Sequence, residues 1–558
     1  MANGVSILNT EVVIVGGGPF GLMLAIELGR RNVTTLLYDA KNGTAYNPQA
    51  NATQARTMEY FRRLGIADEI RALGMPADYP TDIAYFTRYG HHELGRFELP
   101  ASSKANALVR SNQGSWTASE APHRISQKFV EPVLRRLGEA YDSVTVNFGW
   151  RMTEFKEGAS GVSAVFEQSE TGMTHNIDAT YLIGADGARS MVRKQLGYSL
   201  KGEYGEERHF FGGRMYAVYL RCPEFYEVVG KQPAWMNWTF NDDRRALMAA
   251  VDGKGEFAFH TQLRSDEDEA TITDERAADL FREACGVTID CEVLSHMGWT
   301  AGHSLVADHF ISDRVIIGGD AAHLFTPAGG LGYNTAIEDA VNLGWKLAAV
   351  LKGQGGRGLI ESYEFERQKV AIRNTGYARG FADSVGNFVP EDNLENSTEN
   401  GELLRTAAGD YLVEHAKREF NIPGITFGAR YDGSPVLPKT DEALPLDQAN
   451  FYQASGIPGG RPPHWWLDED DSLFDNFGAE WTLLSFDEDN EAKATILEEA
   501  KRREIAVLDL VLNNQDIREL YGAGMVLVRP DQIIGWRGSD CANPVELWQL
   551  LMGQHASC

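Results

Sequence analysis

The chain has 558 residues, too many for one core, and its 43% hydrophobic and 23% charged content excludes a disordered polymer, so two or three globular domains are expected. Asp and Glu number 79 against 52 Lys and Arg, and the net charge of −27 disfavours nucleic acid and anionic membranes as partners. Five cysteines, Cys222, Cys285, Cys291, Cys541 and Cys558, form no CxxC pair and read as reduced thiols. The opening MANGVSILNTE lacks the basic segment of a secretory signal, and VVIVGGGPFGLMLAI is too short to span a bilayer. A cytoplasmic protein with no membrane segment and no metal site is expected.

In chain order, EVVIVGGGPFGLMLAIELGRRNVTTLLYDA (11–40) predicts strand, glycine turn, helix and strand, a βαβ unit with a fully apolar, buried first strand. A helix is predicted over 55–74, mixed strand and loop over 80–120, a helix over 126–140 and a buried strand over 179–187. Alternating segments between 208 and 263 predict an antiparallel sheet. RVIIGGD (314–320) is a strand, and a helix runs from Asn334 to Gly353. The stretch 385–465 is rich in Pro, Gly, Asn and Asp around one helix, and the remainder reads as a separate small α/β unit.

Gly16, Gly18 and Gly21 form GxGxxG between the first strand and its helix. Gly16 permits the turn, Gly18 admits a pyrophosphate to the backbone and Gly21 lets helix and strand pack closely. Asp39 ends the second strand, 21 residues after Gly18, where an acid holds ribose hydroxyls. These features leave NAD, NADP and FAD open. Two more aspartates at strand ends, Asp186 in IGADGARSMVR and Asp320 in IIGGDAAHLFTPAGGLGYN, suit the ribityl chain of a flavin.

GGGPFG, ADGARSMVR and RVIIGGDAAHLFTPAGGLGYNTAIEDAVNLGWKL occur in that order, and the chain resembles the single-component FAD-dependent aromatic hydroxylases, in the branch of phenol hydroxylase and 2,4-dichlorophenol hydroxylase. The segments GITFGARYDGSP and RPPHWWL are also similar to that branch. The resemblance implies an α/β architecture: a Rossmann-like FAD-binding domain (1–80, 116–190 and 290–385) with an inserted antiparallel-sheet substrate domain (81–115 and 191–289). It further implies a helix and extended linker over 386–465 and a thioredoxin-like domain without CxxC over 466–558. That last unit is expected to have a structural or dimer-supporting role, in a homodimer.

By the same resemblance, FAD is bound non-covalently and reduced transiently by NADPH or NADH. No second GxGxxG serves the nicotinamide. O2 then forms a flavin hydroperoxide that hydroxylates a phenolic ring. Arg56 and Gln127 would contact FAD, and the amides of Gly332, Tyr333 and Asn334 would face the pyrimidine edge of its ring. Pro327 would place its carbonyl near the reacting oxygen. Asn51 falls where phenol hydroxylase has an Asp; it can hydrogen-bond a substrate hydroxyl but cannot take its proton. Tyr216 and Trp238 are candidate pocket residues, with a core role as the alternative for each. A polyketide or quinone hydroxylase or epoxidase carries the same motifs, and a non-catalytic flavin-binding protein is the reading from another class. A flavin halogenase is disfavoured, because WMNWTF (235–240) does not match WxWxIP.

Overall fold

The computed structural model describes residues 7–204, 210–241, 243–487 and 491–554. The fold begins with Ile7–Val15, whose last four residues are buried, as a central parallel strand demands. It pairs in parallel with Thr35–Asp39 on one side and Thr174–Gly184 on the other. Val144–Phe148 extends the sheet beyond Thr35–Asp39, and Val315–Ile317 adds beside Thr174–Gly184, both in parallel. The antiparallel strands Val162–Gln168 and Trp150–Glu157 complete seven strands. Helices Pro19–Gly29 and Leu331–Leu351 are buried along most of their length. They pack against this sheet and share its core.

A second seven-stranded sheet carries the substrate side. Its order is Glu292–Ala301, Gly213–Arg221, Glu256–Gln262, Ala246–Ala250, Met236–Thr239, Ile83–Phe86 and Glu93–Phe97. Strand parity gives the sheet two distinct faces. Tyr216, Val218 and Leu220 point with Phe257 and Phe259 into a core closed by helix Asp274–Cys285. Met215, Trp238, Tyr85 and Leu247 point the other way, into a cluster that includes Ala328 and Leu331 of the nucleotide-binding half. The expected return to the first domain at 290 is therefore late by one strand, because Glu292–Ala301 pairs along Gly213–Arg221 and belongs to the second sheet. Of the sheet expected over 208–263, residues 208, 209 and 242 lie outside the described ones.

Two helical predictions need correction, and one long helix was not predicted. The helix expected over 55–74 is two, Ala55–Arg63 and Ala67–Leu73, parted where Gly65 takes φ +73°. The helix expected from Asn334 starts at Leu331. Arg357–Gly386 is a helix of 30 residues whose inner face mixes Leu359, Tyr363 and Val370 with polar Glu366, Arg367 and Asn374, which blurs the helical apolar period.

The C-terminal unit orders its strands as Val507–Val511, Trp481–Ser485, Met525–Val528 and Ile534–Gly538, the first pair parallel and the others antiparallel. Helices Glu491–Arg502, Gln515–Tyr521 and Pro544–Leu551 intervene in the βαβαββα sequence of a thioredoxin-like fold. It docks through buried charges. Arg529 donates to both oxygens of Glu366 at 2.8 and 2.9 Å and to Asp531, and Lys346 donates to Glu366 at 2.6 Å. Among the described residues no helix is long and apolar enough to cross a membrane.

Candidate functional site

The glycine turn is built as its spacing requires. Gly16 has φ +118°, and a Cβ there would lie 2.1 Å from the Ala185 carbonyl oxygen; a Cβ on Gly21 would lie 2.0 Å from that of Gly16. Gly18, at the N-terminus of the helix Pro19–Gly29, has nothing within 4 Å of its missing Cβ, so an approaching phosphate meets bare backbone. Asp39 accepts from the Gly17 amide at 2.6 Å and from the Lys41 amide at 2.7 Å. Each oxygen keeps acceptor capacity for a ribose hydroxyl.

Asp320 is the most informative residue of the site. Solvent reaches its side chain, yet protein surrounds it closely enough that burial raises its pKa against the lowering by His323 and Lys41. It therefore projects into a deep recess. Among the described residues it makes no hydrogen bond, leaving a carboxylate free to accept from a polyol. Its turn is held from behind: Asp339 accepts from the Gly319 amide, from His323 Nε2 at 2.6 Å and from Arg367 Nε at 2.6 Å. His323 is thus a brace. Arg193 of the second motif donates to the Ala321 carbonyl at 2.8 Å and joins that motif to this turn.

Beyond it, Pro327 is exposed, and Gly329 and Gly330 take φ +65° and +62°, a conformation that side chains resist. Gly330 is the N-cap of Leu331–Leu351, and no side chain caps that end. The amides of Leu331, Gly332 and Tyr333 therefore open the helix, ready for an anionic edge. Asn334 lies one position deeper, and its side chain has a separate task. Its Oδ1 accepts from Gln54 N and Thr57 Oγ1, and its Nδ2 donates to the carbonyls of Ala52 and Gly330. These four bonds pin the loop bearing Asn51 to the helix start. Asn51 Oδ1 is buried without a partner, as is the Tyr333 hydroxyl. Gln127 joins the same region, its amide donating to Ala50 O and its side chain to Glu131.

Three expected site residues have other tasks. Arg56 donates to Glu59, to the side chain of Gln532 and to the carbonyls of Asp531 and Gln532, so it fastens its helix to the C-terminal unit. Asp186 accepts from Ser190 Oγ and from the amides of Met191 and Val192, which makes it the cap of the short helix Met191–Gln195. Tyr216 lies on the opposite face from Trp238, in the core closed by helix Asp274–Cys285, and bonds His296. Its sequence neighbourhood alternates correctly, but alternation alone does not say which face is which.

Trp238 lies on the opposite face of the sheet, which packs against Ala328 and Leu331 of the nucleotide-binding half. It belongs to a cross-strand row of Met297, Ala217, His260, Leu247, Trp238 and Tyr85. Trp238 Nε1, the Tyr85 hydroxyl, His260 Nδ1 and, on the same face, Trp299 Nε1 are all buried without partners. Burial, and then nearby Glu419, push the Tyr85 hydroxyl well above its ordinary pKa, so it remains a donor. Burial lowers His260 to about 4 and keeps it neutral. Phe211 packs between Trp238 and Trp299, at 5.8 and 6.1 Å between ring centroids, with a φ of +63° that is rare for an aromatic residue.

Two functional candidates escaped the sequence reading. Glu419 accepts from the Gly329 amide at 2.8 Å and lies 2.8 Å from His415 Nε2, which puts a buried acid against the Pro327–Gly330 turn. It comes from the helix Glu399–Phe420, the one helix expected within the stretch 385–465, to which no site role was given. The second is Arg124, three residues before Gln127.

A ligand that needs a pyrophosphate cradle, a lone acid for a polyol and uncapped amides beside an aromatic face is a flavin dinucleotide, and the fold is that of a flavoprotein monooxygenase. Residues 9–377 match the FAD binding domain family, and residues 455–552 match the C-terminal family of aromatic-ring hydroxylases. The chain belongs to the FAD-dependent monooxygenase family that unites these two parts. It is 30% identical to a putative polyketide hydroxylase of Streptomyces halstedii, over 96% of this chain and 95% of that protein. It is 28% identical to the phenol 2-monooxygenase of Pseudomonas sp. (strain EST1001), over 99% of this chain and 94% of the relative. Chromopyrrolic acid-soaked RebC with bound 7-carboxy-K252c superposes with a TM-score of 0.87 at 31% identity, covering 99% of this chain and 100% of RebC.

Proposed function

We propose that this FAD-dependent monooxygenase hydroxylates an extended, multi-ring aromatic substrate of polyketide or quinone type, using NADPH or NADH and O2. One observation carries the choice of size: unpaired polar groups on this face of the sheet come from four different strands. Tyr85 and His260 alone stand three strand spacings apart, about 14 Å of sheet. A single phenol ring reaches few of these groups, whereas fused rings carrying several carbonyls or hydroxyls can satisfy them. The named relatives include both a polyketide hydroxylase and a phenol monooxygenase, so size is the discriminating property.

Bound FAD supplies O2 activation and oxygen transfer once it is reduced. The chain's residues do the rest. Asp39 and Asp320 hold the hydroxyls of the cofactor, Gly16, Gly18 and Gly21 admit its phosphates, and the amides of Gly332 and its neighbours stabilise negative charge on its ring. Asn51 orients the substrate hydroxyl beside Pro327, and Trp238 and Tyr85 donate to substrate oxygens. Asn51 accepts no proton, and the buried Glu419 carboxylate accepts from the Gly329 amide of this turn. The apolar walls exclude water from the reacting atoms.

Holoenzyme supplied with NADPH or NADH should consume it faster with hydroxylated anthraquinones than with phenol or resorcinol, and should yield a product heavier by one oxygen. Equal or greater stimulation and product with phenol would return the function to simple phenol hydroxylation.

A further inference from the structure

A largely apolar cavity of about 200 Å³ lies where residues 122–124 meet the end of the helix Glu399–Phe420. Its walls include Met75, Phe97, Leu99, Val109 and Phe420, and Arg124 lines it as the one cationic side chain. Other enclosed arginines of this protein are bonded: Arg56, Arg244, Arg367, Arg461 and Arg529 each have carboxylate partners. The half-buried Arg124 side chain makes no hydrogen bond and no ion pair among the described residues, in a chain with a net charge of −27. Its guanidinium lies 3.9 Å over the ring of Trp235, and burial lowers its pKa to about 10. An enclosed cation without an anion is costly unless something supplies one. Stacking on an indole face offsets part of that cost and fixes the plane of the fork.

The position of Arg124 ties this cavity to the reaction site. The adjacent residue, His123, exchanges backbone hydrogen bonds with Thr53, at 2.8 and 2.9 Å. Two residues before Thr53 is Asn51. Three residues after Arg124, Gln127 donates its amide to Ala50 O. The strip carrying Arg124 therefore runs beside the strip carrying Asn51, a few residues of about 3.3 Å apart along the chain. Phe97 and Leu99 of the cavity pack into the same cluster as Trp238, Tyr85 and Ala328.

We propose that this cavity is the substrate's second anchoring point, and that Arg124 pairs there with a carboxylate borne on the aromatic substrate. The inference rests on the monooxygenase reading and narrows its substrate to an aromatic acid. The planar guanidinium matches a carboxylate with two parallel N–H donors, and the apolar walls take the attached rings. Arg124 is a positioning residue in this account: it fixes one end of the substrate so that the other end lies at Asn51.

The test uses FAD-loaded protein and follows the flavin absorbance on titration with anthraquinone-2-carboxylate or with anthraquinone-2-carboxamide. The wild type should bind the acid roughly tenfold or more tightly than the amide, the range of a charge-assisted hydrogen bond. Arg124→Gln should abolish that preference, and Arg124→Lys should keep part of it. Equal binding of the two probes by the wild type, binding of neither, or an unchanged preference in Arg124→Gln overturns the proposal. If Arg124→Gln fails to retain FAD, Arg124→Lys decides: a preference undiminished there overturns it, and a reduced one supports it. A wild type that ignores the carboxylate yet oxygenates neutral anthraquinones leaves the monooxygenase reading standing. A wild type that oxygenates no aromatic compound removes that reading itself.

Discussion

Asp320 and Asn51 are both polar atoms without partners, and they differ in what they wait for. Asp320 has a carboxylate in a recess with no donor to satisfy it. Removing it by Asp320→Ala should weaken FAD binding by about 1.5–3 kcal/mol, roughly ten- to a hundredfold in Kd, measured by titrating apoprotein with FAD. Asn51 Oδ1 is buried and has no hydrogen-bond partner. Asn51→Ala should leave the FAD content unchanged and lower coupling, with more hydrogen peroxide released per NAD(P)H consumed, because a misplaced ring no longer receives the oxygen. Wild-type coupling in that variant would place the substrate hydroxyl elsewhere. At this scale the sequence was most legible where backbone geometry dictates the residue. Gly16 and Gly21 could be read because a side chain would collide with carbonyl oxygens. Arg56 could not, because its partners, Asp531 and Gln532, lie 475 and 476 residues away.

Among the elements, the helix Leu331–Leu351 does most to organise the site. Its uncapped start follows two left-handed glycines, and Asn334 on its first turn ties down Ala52, Gln54 and Thr57. Asn334→Ala removes four hydrogen bonds and leaves the Ala52 carbonyl and the Gln54 amide unmatched. Thermal denaturation should show a loss of about 1–3 kcal/mol. Coupling should fall further than FAD affinity, since the loop that moves carries Asn51. A variant with loosened FAD and normal coupling would contradict this division of labour. The helix itself was legible from its apolar spacing, but its first turn was not, because the tight Gly329–Gly330 approach reads as loop. The antiparallel sheet was legible as alternation, and Tyr216 fell on the wrong face because parity along a strand is fixed only by what packs above and below it. Arg357–Gly386 was hidden by polar residues that are buried for electrostatic reasons, Glu366 and Arg367 among them.

The whole molecule is held together by buried carboxylates paired with guanidinium groups across its units. Burial alone would raise Glu59, but Arg461 and Arg56 outweigh it and hold it at about 2; Glu27 is likewise held at about 2, against burial, by Arg63 and Arg31. Burial would raise Glu366 too, and Arg529 and Lys346 pull it below its ordinary range. A carboxyl whose folded pKa is depressed contributes stability above its unfolded pKa and loses it as pH falls through the folded value. The protein should therefore lose stability between about pH 4.5 and 2, and Glu59→Gln should flatten that decline while lowering stability at neutral pH. Chemical denaturation at a series of pH values checks this, and an unchanged slope in the variant would mean that Glu59 and its arginines do not govern it. Arg56 and the Glu366–Arg529 pair hold the thioredoxin-like unit against the rest of the molecule.

The central claim is that this chain transfers one atom of O2 to an aromatic substrate. The most direct measurement is turnover of the FAD-loaded protein with NADPH or NADH and a hydroxylated anthraquinone under ¹⁸O2, with mass analysis of the product. The account predicts a product carrying one ¹⁸O atom, formed only when the aromatic substrate and reductant are both present. Reductant consumption that yields hydrogen peroxide alone with every aromatic compound offered, or product oxygen that comes from water, would contradict it.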